Sequence, residues 1–385
     1  MGGFECSDQL NCFGYRVDLL GDTAHPDFIQ QDYSSLRQLG VHTVREGLQW
    51  SRVEQKLGCY DWSRMVLIAE AAQSMDIQVI WDLCHFGYPD DLTPLHPLFC
   101  ERFVAYALAF VEAYRAVQPL GWLILTPINE VSFISWLGGE EAATSPYTKS
   151  YGWEVKYALA RAYIAAVKAL KRADSAVVVM STEPLIHIVA DDEDDEQMLA
   201  DVVQKNEEQY QIMDILMGNI CPELGGNPEM VDVVGLNFYP NNQWCYPSGQ
   251  QLDWKQISNS DKVKSLRELC RQTYNRYPKP FVIAETSLEG GDKTLWLQYM
   301  DTELRALLRE GLPLWGCCIY PVLNRPDWDF PERWHDSGIW SVDAQTKTRA
   351  IQQPYADIIR SLTRCGEYQG QFEQLPLVKI PFCAE

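Results

Sequence analysis

Two of the apolar runs that finish on a carboxylate stand out: "WLILTPINE" ends on Glu130 and "PFVIAE" ends on Glu285. Two acids facing one cleft suit cleavage of a glycosidic bond. Held ~5 Å apart they serve a retaining reaction, one as acid/base and the other as nucleophile; at ~6.5–9.5 Å a water fits between them and the reaction inverts. Other apolar runs also end on polar groups: Arg45 and Glu46 in "VHTVRE", His85 in "IQVIWDLCH", Asn129 beside Glu130, Glu183 in "AVVVMSTE", and Asn237 and Tyr239 in "VDVVGLNFY". A single polar strand end is ordinarily a helix cap or a loop ion pair. Many of them converging on one mouth mark a site.

Convergence needs a scaffold that presents strand ends together. Apolar runs at 41–46, 77–85, 122–130, 176–183, 231–239, 280–285 and 312–320 read as strands, with a further one near the start in "GGFEC" or "NCFGYRVD". Helical periodicity fills most gaps, over roughly 26–39, 61–75, 98–116, 153–173, 194–214, 261–276, 292–310 and 351–363. Strands apolar on both faces, alternating with helices about eight times, predict a parallel sheet closed into an α/β (β/α)8 TIM barrel with long βα loops. No composition shift or linker divides the chain, so residues 1–385 are expected to form one domain. In such a barrel catalytic groups sit at the C-terminal strand ends, and the long segments 184–230 and 240–260 are placed to shape the cleft.

Composition narrows the partners. At 46% hydrophobic and 12% aromatic the chain can bury a large core, and its net charge of −21 repels phosphate backbones and anionic lipid heads. Neither nucleic acid nor a membrane surface is an expected partner. The N-terminus has no basic and apolar leader pattern, and no uncharged run reaches the ~20 residues of a membrane span, so a cytoplasmic location is expected. The twelve cysteines are scattered and form no CxxC pair, which favours reduced, mostly buried thiols over zinc or redox chemistry. The acidic run "DDEDDE", 191–196, reads as a solvated loop or helix start. GxGxxG, GxxxxGK[ST], HExxH and GxSxG are all missing from the sequence, and two carboxylates need no cofactor.

The residues also resemble a family. "TPINE" is similar to the Thr-x-Asn-Glu-Pro motif of family 1 glycoside hydrolases, divergent members of whose retaining β-glycosidase clan share the barrel, and "VIAETS" resembles their Ile-Thr-Glu-Asn-Gly. "VREGLQWSRVEQKLGCYDW" (44–62), "WDLCHFGYPDDL" (81–92), "GLNFYP" (235–240) and "RWHDSGIWSVD" (333–343) resemble further family stretches in the same order. The resemblance implies a retaining β-glycosidase acting on a small soluble carbohydrate or glycoside, with Glu130 as acid/base and Glu285 as nucleophile. It places Asn129 on the sugar 2-hydroxyl, His85 on another hydroxyl, Asn237 in the sugar-binding set, Arg45 and Tyr239 on Glu285, and Trp315 beneath the ring. Arg45 would then keep Glu285 charged, while a partly apolar cleft and a neighbouring carboxylate would keep Glu130 protonated.

Several positions depart from the family pattern. Val131 replaces the proline after the acid/base, Thr286–Ser287 replace Asn-Gly, the Glu-Trp sugar pair is represented only by Asp327–Trp328, and the first-strand Gln only by Gln9. The residues reading outer hydroxyls are thus altered, and Trp136, Trp328 and Glu183 are further candidates for the cleft. The same ester intermediate would serve a transglycosidase. A non-catalytic sugar-binding barrel is the reading from another class, although binding alone does not require a nucleophile and an acid together.

Overall fold

The structure, a computed structural model, describes residues 1–257 and 260–363. The predicted eight-stranded barrel is present. Its strands are β1 (Gly2–Gly3), β2 (Thr43–Gly47), β3 (Gln78–Cys84), β4 (Leu123–Ile128), β5 (Val177–Pro184), β6 (Val233–Asn237), β7 (Phe281–Thr286) and β8 (Leu314–Ile319). All neighbours pair in parallel, and β1 closes the ring by pairing Gly2 with both Val44 and Ile319. The outer layer comprises α1 (His25–Gln38), α2 (Ser63–Ser74), α3 (Phe99–Val117), α4 (Gly152–Ala173), α5 (Gln211–Met217), α6 (Leu266–Arg276), α7 (Lys293–Arg309) and α8 (Gln353–Thr363).

Sequence chemistry accounts for the boundaries. β4 and β7 are buried along their whole length, as continuous apolar runs in a covered parallel sheet must be. Ser265 caps α6 by accepting from the Glu268 amide, in an S-x-x-E arrangement that satisfies first-turn donors. Pro26 sits in the first turn of α1, where its missing N–H costs nothing. The helix expected over 194–214 breaks into Glu196–Glu208 and α5, with Asp195 capping the first piece. The first strand is the "GGFEC" option, cut to two glycines. Any β-carbon at Gly3 would lie 2.2 Å from the Tyr320 ring, so glycine lets that ring rest against the barrel wall.

Two cores flank the barrel wall. Strand and helix side chains form the large outer core, whereas Ile80, Ile124, Val178, Met180, Val233, Val282 and Ala284 fill the barrel interior, with Met1 and Trp315 packed against them. These residues come mostly from the first halves of their strands, so they form a dry floor. The opposite, C-terminal ends stay open to polar groups. The loop expected over 240–260 contains a short strand, Gln243–Tyr246, paired in parallel with His187–Ala190; residues 258 and 259 lie outside the described residues, as do 364–385. The run 191–196 is exposed. Among the described residues no helix is long and apolar enough to cross a membrane. The ten described cysteines are all unpaired; Cys6, Cys84, Cys270 and Cys318 are buried, but Cys12 and Cys59 are exposed and the rest half-buried. The expectation of mostly buried thiols therefore holds for only part of the set, because several fall on loops and helix flanks outside the core.

Candidate active site

Arg45 organises the mouth of the barrel. Alternation along β2 turns it inward and its neighbour Glu46 outward, where Glu46 meets His25 and Tyr33 instead. Inside, Arg45 is fully buried and donates to Glu285 Oε1 (2.9 Å), Asp82 Oδ2 (2.6 Å), Asn129 Oδ1 (3.1 Å) and the Ala284 carbonyl (2.8 Å). One guanidinium thereby ties β2, β3, β4 and β7 together. Its planar fork suits this role in a way that a lysine could not match. Glu285 receives a second donor from the Tyr239 hydroxyl, 2.8 Å from Oε2, so both of its oxygens are fixed.

Glu130 stands in a different environment. Its carboxyl accepts from Asn237 Nδ2 at 2.9 Å and has no cation bonded to it among the described residues. Burial, reinforced by the nearby charge of Glu285, pushes its pKa up to about 8, so it holds a proton at neutral pH. Its backbone is left-handed, with φ of 45°, exactly where β4 gives way to a helix, Val131–Gly139, that sequence periodicity did not separate from its surroundings. The Glu130 amide donates to the Thr182 carbonyl of β5.

His85, just past β3, is held by Asp82 (Nδ1 to Oδ2, 3.1 Å) and approached at Nε2 by Tyr320 (3.3 Å) and Asn129 (3.4 Å). Burial raises the Asp82 pKa, but Arg45 and His85 outweigh it and keep the carboxylate ionised. Three members of this set were not singled out from the sequence as site residues. Asp82 stands inside β3 rather than at its polar end. Glu5, at the end of the truncated β1, accepts from Ser7 Oγ (2.5 Å) and lies 3.7 Å from His85 and 3.6 Å from Arg325. Tyr320 stacks on His85 (5.7 Å between centroids, 15°) and lies under the Arg45 guanidinium (5.2 Å).

The remaining candidates fall in three places. Trp315 stands second in β8 and packs against the barrel floor, because the strand runs on for four more residues, to Ile319, before Tyr320. The residue expected beneath the sugar ring thus packs against the interior cluster of Ile80, Ile124 and Val282. Trp328 and Trp136 border the mouth through an aromatic chain in which Phe86 meets Trp328 (5.6 Å) and Phe133 (5.5 Å), and Phe133 meets Trp136 (5.8 Å). Asp327 is engaged in its own loop, accepting from the Asp329 and Phe330 amides and from His335 (2.8 Å). Gln9 lines a small cavity with Arg16, Phe86, Tyr88 and Ser145. Glu183, at the end of β5, accepts from the Ser132 amide at 3.1 Å.

Several buried polar atoms here have no hydrogen-bond partner among the described residues: Asn237 Oδ1, Asp82 Oδ1, Gln9 Oε1 and Trp328 Nε1. Each unmet group costs ~1–3 kcal/mol, which a polar ligand or water at the opening would relieve. Cys6, Asp82 and His85 offer donor atoms within 4.8 Å of one another, but Asp82 is already bonded to Arg45, which sets a positive charge against any cation there.

No protein-family pattern matches the sequence, and no curated protein matches it. Solved structures do match the fold. A family 1 β-glucosidase from Thermotoga maritima superposes with a TM-score of 0.72 at 14% identity, covering 88% of this chain and 87% of its own. The AHE enzyme from Alicyclobacillus herbarius gives 0.74 at 14% identity over 88% and 87%. The β-glycosidase BGL167 gives 0.69 at 18% identity over 89% and 87%. The chain is thus a (β/α)8 barrel of the kind found in family 1 β-glucosidases.

Proposed function

We propose that the protein is a retaining β-glycosidase acting on a small soluble glycoside. The observation that carries this reading is the contrast between two mouth carboxyls: Glu285 is gripped by Arg45 and Tyr239, while Glu130 is half-buried, bonded only to the Asn237 amide among the described residues, and raised in pKa by desolvation and by Glu285. Pairs of titratable groups driven apart by their surroundings supply an acid and a nucleophile at one pH. In the first step Glu285 attacks the anomeric carbon, the glycosidic C–O bond breaks, and the Glu130 proton passes to the leaving oxygen. In the second, Glu130 takes a proton from water, the hydroxide adds to the anomeric carbon, and the ester to Glu285 breaks. Asn129 and His85, cross-linked through Arg45 and Asp82, would hold sugar hydroxyls, with Tyr320 rather than Trp315 as the ring's aromatic neighbour.

A second reading, glycosyl transfer to a sugar hydroxyl, draws support from the aromatic wall that ends in the half-exposed Trp136, a surface on which an acceptor ring could stack. The chemistry of the first step is shared. Both readings are tested by mass spectrometry of the intact protein after exposure to activated 2-deoxy-2-fluoro β-glycosides, with Glu285→Gln alongside. One sugar added to wild type and none to the variant is expected. Equal labelling of both, or none from any sugar, would overturn the double-displacement reading and favour a binding barrel.

A further inference from the structure

The helix that begins at Glu130 poses a capping problem. Residue 130 is its N-cap, the position whose side chain ordinarily accepts from the first-turn amides, yet the Glu130 carboxyl is turned away toward Asn237 and makes no such bond. Residue 131 is valine, so its N–H is a further donor that a proline would not have brought. The missing acceptor comes from the neighbouring strand. Glu183, 6% exposed, places Oε2 3.1 Å from the Ser132 amide and also faces the Val131 amide.

We propose that Glu183 is a positioning residue for Glu130: by capping the helix from β5 it holds the left-handed turn that aims the Glu130 carboxyl into the mouth. This rests on the glycosidase reading for its kinetic consequence but not for its structural one. The backbone at Glu130 is then pinned from two successive residues of one strand, Thr182 through its carbonyl and Glu183 through its carboxylate. A left-handed glutamate costs ~1–3 kcal/mol and persists only where its surroundings enforce it.

Glu183 also sets the field at Glu130. It faces Lys156 and Tyr163 of α4, Ser132 of the capped helix and Glu130 itself; Glu130 faces Glu285 of β7, His85 after β3 and Asn237 of β6. Burial raises the Glu183 pKa to about 7, with Ser132 and Lys156 partly opposing the rise. Above that pH it is an anion beside Glu130 and helps to keep the Glu130 proton in place.

The test compares Glu183→Gln, whose amide oxygen still accepts from the helix but carries no charge, with Glu183→Ala, which loses both. Two readouts are needed. Carboxyl carbon NMR follows the Glu130 titration whether or not the protein turns over, and kcat/KM is measured on glycosides with poor and with activated leaving groups. Glu183→Gln is expected to move the Glu130 midpoint to lower pH and to keep most turnover. Glu183→Ala is expected to lower kcat on poor leaving groups by about 10–100-fold, with a much smaller loss on activated ones, because the acid is misplaced. An unmoved midpoint in both variants, or equal losses on both substrate types, would overturn the proposal. If wild type turns over no glycoside, the hydrolase reading falls, and the NMR arm alone decides the positioning role.

Discussion

Two clusters of buried charge sit on either side of β2, and they are built differently. On the outer face His25 bridges Asp32 (2.7 Å) and Glu46 (3.1 Å), and Arg349 closes on Asp32 from a short strand, Arg349–Ile351, that pairs with Trp340–Val342. Two cations meet two carboxylates, with the Tyr33 hydroxyl adding a bond to Glu46. On the inner face Asp82, Glu285 and Glu5 crowd around Arg45, His85 and Arg325, with Glu130 beside Glu285, while Glu183 at the end of β5 turns to Lys156 of α4. The outer cluster balances its charge, as a buried ion network must if it only holds a fold together. The inner one leaves Glu130, bonded only to the neutral Asn237 amide among the described residues and set beside the charge of Glu285, with its pKa driven up; burial raises Glu183 as well, against the pull of Lys156. A carboxyl with no bonded cation among the described residues is what the two sides do not share, and a perturbed group of that kind is a candidate for chemistry.

The largest effect should come from breaking the inner cluster at its centre. Arg45→Met removes the cation from Glu285, Asp82 and Asn129 while roughly preserving volume, so it leaves buried carboxylates unpaired. A loss of ~3–5 kcal/mol in stability is expected, measured by urea unfolding, together with loss of labelling by fluoro-glycosides. A variant as stable and as readily labelled as wild type would show that Arg45 is peripheral to the site.

The protonation state of Glu130 gives the next effect. Acting as the acid, it must hold its proton; because its pKa is raised to about 8, kcat/KM should be maintained through neutrality and fall as pH rises through about 8. The fall should be about tenfold per pH unit. A basic limb near pH 5 would mean that Glu130 is an ordinary solvated carboxyl and that the contrast between the clusters is false.

The outer cluster predicts a pH effect on stability with no counterpart in turnover. Burial disfavours charged His25, but Glu46 and Asp32 prevail and its pKa rises to about 9. A group raised in the folded state contributes fully below its unfolded value of about 6.5 and loses that contribution as pH climbs through its folded value. His25→Gln should therefore destabilise by ~1–3 kcal/mol near pH 6 and by progressively less toward pH 9. A gap that stays constant across that range would remove the charged histidine from the account.

Much of this architecture was legible because the barrel repeats one signal. Seven apolar runs gave the strands within a few residues, since strands covered on both faces carry no polar interruptions, and the strand ends delivered Arg45, His85, Asn129, Glu130, Asn237, Tyr239 and Glu285 to one mouth. What escaped lay where that signal is weak. Glu5 follows a strand of two glycines, too short to show a period. The helix after Glu130, "VSFISWLGG", is nearly all apolar and merges with the run before it, so the capping role of Glu183 could not be read. "LPLWGCCIY" contains two aromatic residues, and periodicity does not say which of them stands at the open end.

That last ambiguity yields the smallest effect and the finest test of floor against mouth. Trp315 packs with Ile80, Ile124 and Val282 on the closed side, so Trp315→Phe should cost ~1 kcal/mol or somewhat more in stability and leave kcat/KM within about twofold. Tyr320→Phe keeps the ring against Gly3 and His85 but removes the hydroxyl that meets His85 Nε2 at 3.3 Å. Its stability should change by no more than ~0.5–1.5 kcal/mol, while kcat/KM falls severalfold because His85 loses a partner that helps to orient it toward the ligand. Should the two variants exchange these outcomes, the open end of β8 would have to be reassigned to Trp315, and the dry floor beneath Arg45 would no longer separate packing from chemistry.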